Sequence, residues 1–140
     1  MIQARVSLME GMQFVGTTPS EHLIAMDAME EGGGVNAGAR PLELLLVALG
    51  GCTGMDVISI LRKKRELVTG YDIVVRAERA EEHPRVYTSI TVEHVVRGKG
   101  ISADAVERAI QLSDEKYCSV GAMLRQAAKI TTSYSIVEEA

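Results

Sequence analysis

The longest apolar stretch of the chain, residues 41–61, predicts one long buried helix. Pro41 suits a first helical position and Glu43 suits the first turn, while the basic residues 62–65 lie where positive charge favours a helix C-terminus. Between these ends the helix is apolar on nearly every face, which is typical of a buried helix. Its uncharged part is shorter than the roughly 20 residues of a membrane span. The pattern therefore predicts a soluble protein with a helix of about 24 residues through its core.

Alternating and glycine-containing segments predict the rest of the secondary structure. Strands are expected at 2–9, 12–17, 22–27, 71–79, 85–96 and 129–137, helices at 103–116 and 120–128, a functional loop at 28–40, and turns at 10–11 and 69–70. This order predicts a single α+β domain over residues 1–140. One modest sheet and two short helices cannot cover an all-apolar helix, so we expect a homodimer in which the two central helices pack together. The glycines at 50, 51 and 54 would allow that close crossing.

Composition excludes several functions. The chain has 140 residues, 46% of them hydrophobic, and a net charge of −4, so it shows no basic footprint for nucleic acid. Its N-terminus has no signal pattern, which predicts a cytoplasmic protein with reduced thiols. The histidines are widely separated, and the two cysteines lie 66 positions apart, so spacing predicts no metal site.

The two cysteines carry the candidate chemistry, and each supports two interpretations. Cys52 lies at the middle of the long helix, with Asp56 one turn further on the same face. It is either a small buried thiol at a tight crossing or a reactive thiol beside a substrate. Cys118 precedes Ser119, which we expect to cap the last helix. Cys118 is either a helix-junction residue chosen for size or a thiol whose pKa the helix dipole lowers.

Three stretches together carry a resemblance to a known family. They are PLELLLVALGGCTGMDVISIL in the central helix, EEHPRVYTSI in the strand pair, and SDEKYCSV before the last helix. The chain resembles the OsmC/Ohr family, and most closely its OsmC-like branch, from about residue 36 to the end. The resemblance implies antiparallel sheets around a long buried central helix, in an intertwined homodimer with active sites at the subunit interface.

The resemblance also implies an activity, the thiol-dependent reduction of organic hydroperoxides in the oxidative or osmotic stress response. Cys52 matches the cysteine that attacks the peroxide, and Cys118 matches the one that condenses with the sulfenic acid to a disulfide. A dithiol or lipoyl-type reductant would restore the thiols, and no bound cofactor or metal is expected. The partners are then a second copy, the hydroperoxide and the reductant, with no nucleic acid or membrane.

The residues that would activate Cys52 depart from the family pattern. The resemblance implies an Arg in the first hairpin and a Glu directly after the helix-starting Pro. Here Glu43 comes one residue late, and the nearest arginines are Arg40 and Arg5. Cys52 lies nine positions beyond Glu43, so Glu43 or Arg40 would reach it only from the partner subunit. Asp56 would disfavour a thiolate nearby.

A second function is therefore kept beside the first. In this alternative the protein is a dimeric OsmC-like protein whose interface pocket binds a small apolar or thiol-reactive ligand, without peroxidase turnover, and the cysteines only pack. The distance between the Cys52 and Cys118 sulfurs discriminates between the two.

Overall fold

The computed structural model describes residues 1–139 and confirms a mixed α+β fold with two three-stranded sheets and one long helix. The elements are β1 (Arg5–Leu8), β2 (Phe14–Thr17), β3 (Leu23–Met26), a 3₁₀ turn (Glu30–Gly32), α1 (Pro41–Lys63), β4 (Leu67–Arg79), β5 (Tyr87–Lys99), α2 (Ala103–Leu112), a π-helical turn (Ser113–Tyr117), α3 (Ser119–Leu124) and β6 (Lys129–Glu138). Contacts divide the chain into two compact units, unit 1 up to Leu45 and unit 2 from Leu46 onward.

Unit 1 contains the predicted antiparallel meander β1-β2-β3. The expected tight turn joins β1 to β2, where the Met9 N–H donates to the Gln13 carbonyl at 2.8 Å. Gly11 has φ of 58° in this turn, a backbone conformation that glycine adopts without strain. The strands are shorter than expected, because each of them has only four residues.

The loop after β3 is held by one buried carboxylate, Asp27, which no pattern in the sequence marks. Asp27 is only 3% exposed, and its oxygens accept the N–H groups of Ala28, Val35 and Ala37 at 2.7, 3.0 and 2.9 Å. These hydrogen bonds, that of Ala37 first, lower the pKa of the Asp27 carboxyl. These three hydrogen bonds therefore hold the loop that leads the chain to α1.

Unit 2 is built on the sheet β4-β5-β6, with β5 in the middle. β5 pairs antiparallel with β4, as expected, but parallel with β6. The predicted turn at 69–70 is wrong, because these residues continue β4 through a bulge between Val68 and Gly70. Alternate side chains of β5 are buried, and they are Ile90, Val92, His94 and Val96.

Helices α1 and α2 cover the buried face of this sheet. Val57 and Leu61 of α1 are completely buried with Val106 and Ala109 of α2 and Val96 of β5. This cluster is the hydrophobic core of unit 2. The alternation of the segment 85–96 is consistent with this core.

Two of the three central glycines serve packing within the unit. A Cβ at Gly54 would lie 2.5 Å from Ile73 Cδ1, and one at Gly50 would lie 3.3 Å from Val75 Cγ2. Both glycines therefore let α1 approach β4 closely. Only Gly51 faces open space, since a Cβ at this position would have nothing within 4 Å of it. Of the three glycines that we expected at a crossing of two central helices, only Gly51 is therefore available for such a crossing.

The opposite face of α1 is apolar and exposed. Val47 is 69% exposed and Met55 is 74% exposed. An 18-residue segment of α1 has a mean hydropathy of 2.0, and 33% of that segment is buried. By length and composition alone, the helix is therefore able to cross a membrane. The core helix of a soluble protein has the same length and composition. The expectation of a fully buried helix is thus met on one face only within the single chain.

Gly34→Ala tests the fixed loop of unit 1. A Cβ at Gly34 would lie 1.9 Å from the Ala28 carbonyl oxygen, so the backbone must shift and the Asp27 hydrogen bonds break. We predict a loss of about 1–3 kcal/mol in the free energy of unfolding, measured by urea denaturation.

Gly32→Ala is the matched control in the same loop. Its Cβ would meet only the Ala28 Cβ at 3.6 Å, an ordinary contact. Its stability should stay within about 0.5 kcal/mol of the parent protein. Equal stability of the Gly34 and Gly32 variants would contradict the fixed loop.

Candidate functional site

Two thiols and a carboxylate meet in unit 2. The Sγ atoms of Cys52 and Cys118 and a carboxylate oxygen of Asp56 all lie within 4.8 Å of one another. Cys52 and Asp56 are one turn apart in α1 and therefore share a face. Cys118 comes from the junction between the π-helical turn and α3. The structure thus brings together two cysteines that are far apart in sequence.

The π-helical turn sets the position of Cys118. After α2 ends at Leu112, the chain makes one wider, π-helical turn. In this turn the Cys118 N–H donates to the Ser113 carbonyl at 2.8 Å. Such single π turns are frequent at functional sites. Cys118 itself caps α3, since its Sγ accepts the Gly121 N–H at 3.3 Å. The expectation that Ser119 is the cap is wrong, because Ser119 is already the first residue of the helix.

A buried serine orients the carboxylate. Ser113 is completely buried, and its hydroxyl donates to Asp56 Oδ2 at 2.9 Å. The Ser113 hydroxyl oxygen also lies 2.8 Å from Thr53 Oγ1, so a chain of hydroxyl groups links α1 to the π-helical turn. We did not predict Ser113 or Thr53 from the sequence. The spacing of Cys52 and Asp56 was the only sequence signal for this part of the site.

The two cysteines differ in access and in acidity. Cys52 is partly exposed, whereas Cys118 is only 4% exposed. The pKa of the Cys118 thiol is raised to about 11, chiefly by burial and to a smaller extent by the neighbouring Cys52 and Asp56, although the Gly121 N–H acts in the opposite direction. The expectation that a helix N-terminus lowers this pKa is therefore wrong, because desolvation outweighs one backbone hydrogen bond.

A buried aromatic pair lies in the sheet of the same unit. The Tyr71 hydroxyl hydrogen-bonds His94 Nδ1, and the two rings stack at 5.9 Å. His94 is completely buried, and within residues 1–139 its Nε2 has no hydrogen-bond partner. Burial lowers the pKa of His94 to about 4 and raises that of Tyr71. Both side chains are therefore neutral at physiological pH.

The predicted activating residues lie in unit 1, where they organise the start of α1. Glu43 Oε1 accepts the Arg40 N–H at 2.8 Å. Arg40 Nη1 donates to Asn36 Oδ1 at 2.7 Å and to the Gly38 carbonyl at 3.0 Å. Arg5 is an exposed residue of β1. The contacts described for Arg40 and Glu43 are thus those of a helix cap.

Comparison with known proteins identifies the family to which the chain belongs. A family model described as OsmC-like protein matches residues 32–133. The chain belongs to the OsmC-like protein family. The resemblance carried by the three sequence stretches is therefore confirmed, and the matched region includes Cys52 and Cys118.

Relatives of this OsmC-like protein match over nearly its whole length. Protein YhfA of Escherichia coli strain K12 is 43% identical over 97% of this chain and 98% of its own length. A hypothetical protein from Aquifex aeolicus VF5 is 33% identical, with a TM-score of 0.87 over 100% of this chain and 98% of that one. The structure of an organic hydroperoxide resistance protein from Legionella pneumophila has a TM-score of 0.68 at 12% identity over 96% of each chain. That last likeness concerns the fold alone.

We predict that His94 makes this OsmC-like protein sensitive to acid. The unfolded chain protonates His94 near its ordinary pKa of about 6.5, whereas the folded chain does so only near pH 4. Between these values the unfolded state binds more protons, so stability falls as pH falls. The expected contribution is a loss of about 2 kcal/mol between pH 7 and pH 5, measured by urea denaturation at both pH values.

His94→Gln should be less stable at pH 7 but should lose that part of the pH dependence. The exposed His22 provides the control, because His22→Gln should keep the pH dependence of the parent protein. An unchanged pH dependence in His94→Gln would contradict a neutral buried histidine.

Proposed function

We propose that this OsmC-like protein is a thiol-dependent hydroperoxide reductase that works through Cys52 and Cys118. The observation that carries the proposal is the separation of their Sγ atoms, at most 4.8 Å, with Cys52 partly exposed and Cys118 buried. A substrate from solvent meets Cys52 first. A small movement at the helix junction then suffices for a disulfide, in which the sulfurs lie about 2.05 Å apart.

The chemistry proceeds in two balanced steps. The Cys52 thiolate attacks the O–O bond of a hydroperoxide ROOH, takes the distal oxygen to become a sulfenic acid, and releases the alcohol ROH once a proton is supplied. Cys118 then attacks the sulfenic sulfur, forms the disulfide and releases water. The protein loses two electrons, and an external dithiol or lipoyl-type reductant returns them by thiol–disulfide exchange. Cys118 keeps the sulfenic acid from oxidising further.

Organic hydroperoxides are the proposed substrates. Ala48 and Met55 lie one turn on either side of Cys52 in α1, and both are exposed apolar residues. An alkyl group bound to the peroxide therefore meets apolar surface beside the thiol. We place this activity in the cytoplasm, where thiols are kept reduced, as part of a response to oxidative or osmotic stress.

The working form is proposed to be a homodimer. The exposed side chains of α1 include Val47 and Met55, and an apolar helix face of this kind is stable in water when a second surface covers it. A second copy of the same helix provides such a surface. In that dimer, Arg40 and Glu43 are proposed to assist the Cys52 thiolate of the other subunit, Arg40 by its charge and Glu43 by orienting Arg40.

A second candidate function is the binding of a small apolar ligand without turnover. Unit 1 by itself contains a cavity of about 610 Å³, whose lining includes Met12, Phe14 and Met26. Apolar cavities of this size commonly bind small molecules. In this case the cysteines serve packing only, and peroxide treatment forms no disulfide.

Cysteine variants test the proposal by measuring the consumption of cumene hydroperoxide, with dithiothreitol or dihydrolipoamide as reductant and a chelator present. We predict that Cys52→Ser abolishes consumption, because no attacking sulfur remains. Cys118→Ser should consume peroxide briefly and then accumulate sulfinic and sulfonic forms of Cys52, detected by mass spectrometry. The parent protein should form the Cys52–Cys118 disulfide instead.

Arg40→Gln in the same assay should lower kcat/KM while the disulfide still forms at high peroxide. Arg76→Gln is the matched control, since Arg76 is an exposed residue of β4 whose ion pair is with Glu93. Absence of turnover by the parent protein with either reductant would contradict the reductase and favour the binding protein.

A further inference from the structure

The cluster of Cys52, Asp56 and Cys118 brings two sulfur atoms and one carboxylate oxygen within 4.8 Å of one another. Within residues 1–139, none of the ion pairs includes Asp56. Peroxide reduction by the thiol pair gives Asp56 no part, yet Ser113 holds its carboxylate beside the two sulfurs. Its presence calls for another chemical role.

The three ligand atoms suit a thiophilic divalent metal ion. Zinc binds thiolate sulfur at about 2.3 Å and carboxylate oxygen at about 2.0–2.2 Å, in tetrahedral sites. Two sulfurs on such an ion lie about 3.8 Å apart. The atoms here all lie within 4.8 Å of one another, so side-chain movements of about 1 Å bring them into the coordination sphere. A fourth position stays open for water.

Surrounding hydrogen bonds orient two of the three ligands. Ser113 donates to Asp56 Oδ2 at 2.9 Å and is itself within 2.8 Å of the Thr53 hydroxyl, so the carboxylate is held in place from inside the protein. The Gly121 N–H donates to Cys118 Sγ at 3.3 Å, which stabilises a thiolate at that position. Hydrogen bonds of both kinds are typical of the outer shell of protein metal sites.

We propose that the reduced protein binds one zinc-class divalent ion through Cys52, Cys118 and Asp56, and that the metal and the disulfide exclude each other. The ion neutralises the charge of the cluster, and Asp56 then has a function as a ligand. Binding requires both thiolates, so oxidation of the pair removes two of the three ligands. Oxidation by a hydroperoxide balances as two thiolates, ROOH and two protons giving the disulfide, ROH and water, with release of the ion. The proposed binding does not depend on peroxidase turnover.

Titration of the reduced, metal-free protein with Co²⁺ and with Zn²⁺ tests the site. Co²⁺ binding should produce a thiolate-to-metal charge-transfer band at one equivalent per chain, and Zn²⁺ should remove it. Cys52→Ser and Cys118→Ser should each lose at least half of that band. Asp56→Asn should keep the band but weaken Zn²⁺ binding at least tenfold, as measured by competition with a chromogenic chelator. Ser113→Ala should weaken binding about tenfold through loss of orientation.

Two controls keep the test independent of folding and of turnover. Asp104→Asn changes an exposed carboxylate of α2 and should bind Zn²⁺ like the parent protein. The parent protein oxidised with diamide, a thiol oxidant, should bind none and should recover binding after reduction. Failure of the reduced parent protein to bind either ion, unchanged affinity in Asp56→Asn, or equal binding by the oxidised form would overturn the proposal. Failure of the peroxidase assay alone would not affect it.

Discussion

The long helix α1 must satisfy two opposite requirements with one apolar sequence, and the rest of the structure depends on how it does so. On one face, Gly50 and Gly54 remove the side chains that would keep β4 away, so the helix packs directly on the sheet of unit 2. On the other face, apolar side chains such as Val47 and Met55 are exposed in the single chain. Cys52 lies between these two faces, and its side chain is therefore only partly exposed.

The position of the second sulfur follows from an irregularity in the helical segment after β5. A continuous α-helix through Ser113–Tyr117 would carry Cys118 to another angle around its axis. The π-helical turn instead buries Ser113 against Asp56 and leaves Cys118 as the cap of α3. One local change of winding thus builds both the thiol pair and the support for the carboxylate. The proposed redox chemistry and the proposed metal binding both use this arrangement, and the oxidation state of the sulfurs would decide which of them is available.

Much of the fold was predictable from residue patterns, because the signals were local. Proline, acidic and basic residues marked the ends of α1, and alternation marked β5. The features that were missed or mispredicted depended on contacts between residues distant in sequence, or on opposing effects on one pKa. The role of Asp27 depends on backbone donors eight and ten residues away, and that of Ser113 on a carboxylate 57 residues away. The interpretation of Cys118 as an acidic thiol was wrong because it considered the helix N-terminus and not the cost of burial.

Covering of the exposed face of α1 by a second copy is the claim on which the proposed working form of the enzyme rests. Sedimentation equilibrium of the reduced protein measures it most directly, with Val47→Asp and Met55→Asp as interface variants and Thr131→Asp, on the exposed face of β6, as the control. We predict the mass of two 15.1-kDa chains for the parent protein and the control, and dissociation of both interface variants. A parent protein that sediments as a single 15.1-kDa chain at micromolar concentration would contradict the claim.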